Sequence, residues 1–261
     1  MIVKRKVFNI ARDYTKRLSD IEQVEAVILS ETAEMEIYDP YFIIDMDIYY
    51  TKSLPESEER RMILGNPDIF ETASVYPVDR FICEELPVIL NYRHVKSIEG
   101  IFNRIEKAEW VFRIESSNIL YRLKEGQVLF SRNPDWIENI KGRFDDIPVD
   151  FWQNILDSSL FFMEHYLREI NVSVFKGNHL LYHNSLSKFI QSVCSYVFAV
   201  NCRFEPSPRM VYDEMARLPR LPDEFMTRFE TLINPVRDFS LERTWEIAQL
   251  IAKSLIPMQL E

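Results

Sequence analysis

The chain has 261 residues, and its 41 Asp and Glu against 31 Lys and Arg give a formal net charge of -10. With 47% hydrophobic and 13% aromatic residues it can bury a sizeable core, which excludes bulk disorder, and its acidity disfavours a nucleic-acid partner because phosphate binding relies on Lys and Arg. Its five glycines lack the spacing of a Walker loop or a dinucleotide fingerprint, which excludes these two kinds of phosphate site.

Hydropathy and cysteine content indicate the cellular compartment of the protein. The longest uncharged stretch found, residues 189–202, is shorter than the roughly 18 to 20 apolar residues of a membrane span. The basic start of the chain meets further charges before an apolar signal region can build. Cys83, Cys194 and Cys202 lie in apolar surroundings, which favours reduced, buried thiols over disulfides or a zinc site. We therefore expect a cytoplasmic protein with no membrane partner.

The N-terminal part of the chain mixes helical and strand patterns. Apolar residues at helical spacing predict a helix over residues 7–18. Residues 53–61 are polar and indicate a loop or the start of a helix. Short apolar runs, the second preceded by the turn residues Asp39-Pro40, predict four strands, at residues 24–29, 41–50, 75–83 and 86–93.

Helical spacing dominates the rest of the chain. Beyond Val95 it predicts helices over residues 98–105 and 110–123, followed by a short strand at 127–130. Pro148 stands at the first turn of a long predicted helix. Four more helices are predicted, over residues 186–200, 210–218, 224–233 and, with Ser240 as candidate cap, 245–255.

These patterns predict an α+β protein in which a mixed sheet precedes an all-helical bundle. The predicted boundaries are 1–108 for the α/β domain, 109–144 for a connecting helix and strand, and 145–261 for the helical bundle domain. We find no internal repeat or low-complexity tract.

The sharpest chemical feature is Asp45-Met46-Asp47. Residues two apart on a strand project from the same face, so both carboxylates lie together there, and that face is not ordinary core. Two neighbouring carboxylates repel each other unless a cation lies between them, and hard oxygen ligands of this kind suit Mg²⁺. The alternative is a solvent-facing edge strand on which the two charges only prevent aggregation.

The order of elements around these aspartates resembles the nucleotidyltransferase superfamily of the polymerase-β type. A helix is followed by a strand ending at Ser30 and then by the strand that carries Asp45 and Asp47, and residues 86–93 stand where the superfamily places its third catalytic strand. The C-terminal half is similar to a group of nucleotidyltransferase-like proteins of unassigned function. That similarity rests on residues 198–207, followed by Leu-Pro pairs at 218–219 and 221–222. Kanamycin and lincosamide nucleotidyltransferases are more distant in layout.

The resemblance implies an N-terminal nucleotidyltransferase-like domain with two-metal chemistry. A hydroxyl of a small molecule or of a protein would attack the α-phosphate of a nucleoside triphosphate, with Mg²⁺ held by Asp45 and Asp47. Ser30 would correspond to the serine that holds the triphosphate, and Asn91 to the third catalytic carboxylate. The acidity of the chain suits an acceptor other than nucleic acid.

The chain also departs from the family pattern. Leu29 replaces the glycine before Ser30, Glu31 adds a negative charge beside a triphosphate, and Asn91 is not an acid and cannot act as a base. If the strand register differs, Glu84 or Glu85 would replace the third acid. The alternative to an active transferase is therefore a degenerate member that binds a nucleotide or a protein, or a purely structural module.

Other candidates lie in the C-terminal half. Lys188 and Arg203 are expected to contact a substrate phosphate, with the wet face of a helix and a helix end as the respective structural alternatives. His179 and His183 have the spacing of a helix-borne metal pair but lack a third ligand nearby in sequence, so solvated or core histidines are the favoured interpretation. The sequence leaves the preferred base, the acceptor and the oligomeric state open.

Overall fold

The computed structural model describes residues 2–30, 43–73, 77–109, 117–234 and 240–260. The chain divides into two compact units. The first, here called the sheet unit, comprises Met1–Arg104 with Ile119–Ile147, and the second, the helical unit, comprises Ile105–Asn118 with Pro148–Glu261. The stretch predicted as a connection, 109–144, is thus divided between the two units.

The sheet unit contains a mixed, six-stranded sheet within the described residues. Its strands are β1 Val24–Ser30, β2 Ile44–Tyr50, β3 Glu71–Ala73, β4 Val78–Cys83, β5 Leu86–His94 and β6 Gln127–Ser131. They lie in the order β3-β4-β5-β2-β1-β6, with β2 and β5 parallel and the other neighbours antiparallel. This confirms the α+β class. Residues 41, 42, 75 and 76 of the predicted strands lie outside the described residues.

Five helices of the described chain accompany the sheet: α1 Ile2–Ser19, α2 Ser57–Ile63, α3 Val95–Ile105, α4 Asn118–Glu125 and α5 Pro134–Gly142. The apolar stripe of α1 packs on one face of the sheet because alternate strand residues, such as Met46 and Leu90, are apolar there. The opposite face carries Asp45 and Asp47. The predicted helix over 110–123 starts at Asn118 in the described chain, and residues 110–116 lie outside it.

The turn between β4 and β5 consists of Glu84 and Glu85, which have φ values of 47° and 69°. Lys6 Nζ donates to the carbonyl oxygen of Glu84 at 2.8 Å. The turn lies six residues before Asn91, which corresponds to about 20 Å of strand. The suggestion that Glu84 or Glu85 replaces the third acid is therefore wrong, because the register of β5 places Asn91 opposite Asp47.

We expect replacement of Glu84-Glu85 by Asn-Gly to stabilise the protein by about 0.5–1 kcal/mol, because glutamate rarely adopts positive φ and Asn-Gly favours such a turn. Urea unfolding followed by circular dichroism measures the change. The backbone contact with Lys6 is retained in the variant. A lower midpoint for the Asn-Gly variant would contradict the assigned turn.

The described helical unit contains α6 Val149–Lys176, α7 His179–Val200, α8 Val211–Ala216, α9 Phe225–Ile233 and α10 Leu241–Leu255. Gly177, at φ +62°, ends α6, and the side chain of Asn178 accepts from the Leu181 N–H to begin α7. Ser240 caps α10 as predicted, accepting from the Arg243 N–H at 3.2 Å. No helix in the described part is long and apolar enough to cross a membrane.

The segment after α7 is held by Asn201. Its amide nitrogen donates to the carbonyl oxygens of Val197 at 2.8 Å and Arg220 at 3.0 Å, and its amide oxygen accepts from the Arg220 N–H at 3.0 Å. Asn201 thus joins the two sequence patterns on which the family resemblance rests, at 198–207 and 218–222. Cys194 is buried, whereas Cys202, predicted to be buried, is exposed at this corner.

Candidate functional site

The strand register brings four of the predicted site residues together on the face of the sheet opposite α1. Ser30 of β1 pairs with Asp45 of β2, and Asp47 pairs with Asn91 of β5. Tyr49, two residues beyond Asp47 and on the same face, pairs with Arg93. Side chains on neighbouring strands point the same way at paired positions, so all these groups share one surface.

A guanidinium group lies between the two carboxylates. Arg122, from α4, donates from Nε to Asp47 Oδ2 at 2.6 Å and from its two terminal nitrogens to the two oxygens of Asp45 at 2.7 and 2.6 Å. The residue is only 5% exposed. Arg122 therefore forms charge-assisted hydrogen bonds to both acids, in the place where the sequence predicts a cation.

Three other side chains of the described residues also contact the acid pair. Arg93 donates from Nε to Asp47 Oδ1 at 2.8 Å, and Ser30 Oγ donates to Asp47 Oδ2 at 2.9 Å. Asn91 donates from its amide nitrogen to Asp45 Oδ1 at 2.7 Å. Each of the four carboxylate oxygens thus accepts at least one hydrogen bond. Asn91 and Ser30 act here as donors to the aspartates.

Among the described residues the formal charges of this cluster sum to zero, because two carboxylates face two guanidinium groups. Asp47 is fully buried. Burial by itself would raise the pKa of the Asp47 carboxyl, but Arg122 and Arg93 outweigh it and hold that pKa below its ordinary value. Asp47 is therefore ionised throughout the neutral range.

The lowered pKa of Asp47 predicts a loss of stability in acid. The unfolded chain takes up a proton at the ordinary aspartate pKa, near 3.8, whereas the folded chain does so only at lower pH. The contribution of Asp47 is thus complete above that value and decreases as pH falls through the folded pKa. Urea midpoints of the wild type and Asp47→Asn across acidic pH should show a smaller acid-induced loss in the variant. Equal losses would contradict this prediction.

These residues do not fit a magnesium ion. Mg²⁺ requires near-octahedral oxygen ligands at about 2.0–2.1 Å and is drawn to uncompensated negative charge. Here the aspartate oxygens accept hydrogen bonds from Arg122, Arg93, Ser30 and Asn91. Among the described residues no group of three or more His, Cys, Asp or Glu could hold a metal ion.

The position of Arg122 depends on the short connection from α4 to β6. Gly126 is the single residue between these elements, and its N–H donates to the carbonyl oxygen of Arg122 at 2.9 Å. A Cβ at this position would lie 2.4 Å from that oxygen and 2.5 Å from Ile28 Cγ2. Glycine therefore allows the end of α4 to lie directly against β1, one turn from Arg122.

The two remaining predicted contacts lie in the helical unit. Lys188 is exposed on α7, with its Nζ 5.4 Å from the ring centroid of Tyr166. Arg203 is exposed just beyond the same helix. His179 and His183 are exposed at the start of α7. A role for Lys188 or Arg203 toward a phosphate stays a prediction.

Sequence reasoning missed Arg122 and the part played by Arg93. Both are far from the aspartates in sequence, and Arg122 follows Asp45 by 77 positions. A signal is nevertheless present, because Arg122 stands between the buried Leu120 and Leu123 of an amphipathic helix. A basic residue in that setting requires a buried acid as partner.

Comparisons with known proteins give a distant likeness to solved structures. No protein-family model and no curated protein matches the sequence. Among solved structures, a nucleotidyltransferase-like protein from Exiguobacterium sibiricum 255-15 is similar over 93% of this chain and 71% of that chain. The TM-score is 0.46 and the sequence identity 12%. A likeness of this size carries no information about the chemistry of the site.

Proposed function

We propose that this chain is a nucleotidyltransferase-like protein that does not catalyse magnesium-dependent transfer and acts instead as a binding module. The observation that carries the proposal is the Arg122 guanidinium, which donates to both Asp45 and Asp47. The shared face of Ser30, Asp45, Asp47 and Asn91 agrees with the family resemblance. The charge balance of that face does not agree with a metal site.

The charges around Asp45 and Asp47 support the proposal that this chain does not catalyse nucleotidyl transfer. Two-metal catalysis uses carboxylates that coordinate the metal ions directly. Here Arg122 and Arg93 balance the charges of the carboxylates, and Asn91, which the resemblance aligns with the third acid, brings no charge and cannot accept the proton of an attacking hydroxyl. Leu29 in place of a glycine is a further departure, and Glu31 lies outside the described residues.

The energy needed to separate Arg122 from Asp45 and Asp47 supports the same proposal. Breaking a buried ion pair typically costs about 3–5 kcal/mol. A divalent cation would have to displace Arg122 before binding, so its apparent affinity would fall by a factor of roughly 10² to 10⁴. Such a reduction strongly disfavours Mg²⁺ binding at this pair.

The competing function is an active transferase that moves a nucleoside monophosphate from a triphosphate to a hydroxyl of a small molecule or of a protein. The convergence of the four predicted residues on one face is the observation in its favour. It would require Arg122 and Arg93 to leave the acid pair. The two functions therefore differ in whether Mg²⁺ and a triphosphate act at Asp45 and Asp47.

The test is a titration of each common nucleoside triphosphate, with and without Mg²⁺, combined with an assay for pyrophosphate release. The wild type is compared with Asp45→Asn/Asp47→Asn and with Asp145→Asn/Asp146→Asn, which removes the same charge from exposed positions. We expect no magnesium-dependent binding or release in any of the three. Magnesium-dependent release that only the Asp45/Asp47 variant loses would overturn the proposal.

A further inference from the structure

The guanidinium of Arg93 is only partly used by the acid pair. Its Nε donates to Asp47, while its two terminal nitrogens have no hydrogen-bond partner among the described residues. The side chain is 27% exposed, so part of it is accessible to solvent. Two adjacent N–H groups of one guanidinium form a fork that matches two oxygens of a carboxylate or a phosphate.

Tyr49 lies beside Arg93 on the neighbouring strand and on the same face. It is fully buried, yet its hydroxyl has no hydrogen-bond partner in the described chain. Burial raises the pKa of this hydroxyl, as does Asp47, so it stays protonated and is able to donate. A buried hydroxyl without a partner is uncommon in native proteins and indicates a water or a ligand.

A third donor without a partner in the described chain belongs to a side chain that packs against Tyr49. The ring of Trp136, on α5, lies 5.5 Å from the ring of Tyr49 between centroids. Its indole nitrogen is buried and likewise has no partner among the residues described. Arg93 and Trp136 can only donate, which favours a ligand made of acceptor atoms.

We propose that Arg93, Tyr49 and Trp136 bind an oxyanion of the phosphate type without a metal ion. The inference rests on the proposed function and names the ligand class of that binding module. Arg122 and Arg93 together balance the charges of Asp45 and Asp47, so the cluster presents no net negative charge to an anion bound next to it. The terminal N–H groups of Arg93 and the two buried donors supply the hydrogen bonds that hold and orient the ligand.

The experiment is a thermal-shift and calorimetric titration of the whole chain with inorganic phosphate and pyrophosphate. It is carried out in EDTA at constant ionic strength, with chloride as the control anion. We expect both phosphates to raise the melting temperature of the wild type. ATP in EDTA forms a further arm, and binding tighter than that of pyrophosphate would indicate that a nucleoside adds contacts.

Tyr49→Phe is the decisive variant. Because the hydroxyl has no partner in the described chain, its removal should leave the melting temperature without anion unchanged or higher, whereas phosphate affinity should fall about tenfold. Trp136→Phe should also weaken phosphate binding, with a lower melting temperature because the smaller ring packs less well against Tyr49. Tyr50→Phe, the next residue of the same strand but on the opposite face, is the matched control and should bind like the wild type.

Two outcomes would overturn the inference. The first is the absence of any anion-dependent shift in the wild type, which would assign the donors to water alone. The second is equal phosphate affinity in the wild type and in Tyr49→Phe, which would place the anion elsewhere. Neither outcome contradicts the proposal that the chain does not catalyse nucleotidyl transfer, because that proposal is tested separately by magnesium-dependent pyrophosphate release.

Discussion

Replacing Arg122 with methionine should destabilise the protein by about 3–5 kcal/mol, because it leaves two carboxylates close together with one buried and without its main partner. The variant should also respond to divalent cations, since the two carboxylates then face only Arg93 and keep one negative charge in excess. Millimolar Mg²⁺ or Mn²⁺ should recover part of the lost stability. Urea unfolding with the chloride salts of these cations, and with EDTA, measures both effects.

Two further variants separate charge from packing. Arg122→Met/Asp45→Asn removes one positive and one negative charge, so it should recover part of the stability and lose the cation response. Arg168→Met removes an exposed arginine whose ion pair with Glu164 is solvated, and should change stability by less than about 1 kcal/mol. Wild-type stability in Arg122→Met, or the same cation response in all variants, would contradict the assigned ion pairs.

A comparable loss is expected when Arg60 is replaced by methionine. Arg60 donates from Nε and one terminal nitrogen to both oxygens of Asp79, each at 2.8 Å, and Asp79 is fully buried. Further bonds reach the carbonyl oxygen of Pro55 and the hydroxyl of Thr72. The guanidinium therefore ties α2 and the segment before it to β3 and β4. We expect a cost of about 3–5 kcal/mol, measured by urea unfolding.

The double variant Arg60→Met/Asp79→Leu tests the cause of that loss. Removing both partners leaves no buried charge, so the double variant should be more stable than Arg60→Met. The loss of stability in the double variant should then be smaller than the sum of the losses in Arg60→Met and Asp79→Leu by more than the experimental error. Strictly additive losses would mean that Arg60 stabilises the fold through its packing and not through its charge.

Local patterns predicted most of the elements because their causes are local. The helix α1 follows from apolar residues every three or four positions, and the shared face of Asp45 and Asp47 follows from the two-residue period of a strand. Ser240 was recognisable as a cap because the cap bond spans three residues. Two short elements, β3 and α5, were not predicted, although Pro134 at its first turn and Ile137 and Ile140 mark α5.

Long-range pairing could not be predicted in the same way. A strand was predicted at 127–130, but the place of β6 beside β1 at the edge of the sheet depends on contacts across about a hundred residues. The same limit applies to the candidate site. A pair of aspartates on one face requires a positive partner, and the sequence does not distinguish a metal ion from an arginine that α4 brings to the sheet.

The most direct test of the central claim is a calorimetric titration of Mn²⁺ into the wild type and into Arg122→Met. If Arg122 takes the place of a cation between Asp45 and Asp47, the wild type binds no Mn²⁺ at this pair and the variant gains one site, which Asp45→Asn abolishes. Binding of Mn²⁺ by the wild type that is lost in Asp45→Asn/Asp47→Asn would contradict the claim. It would indicate that Asp45 and Asp47 bind a metal ion.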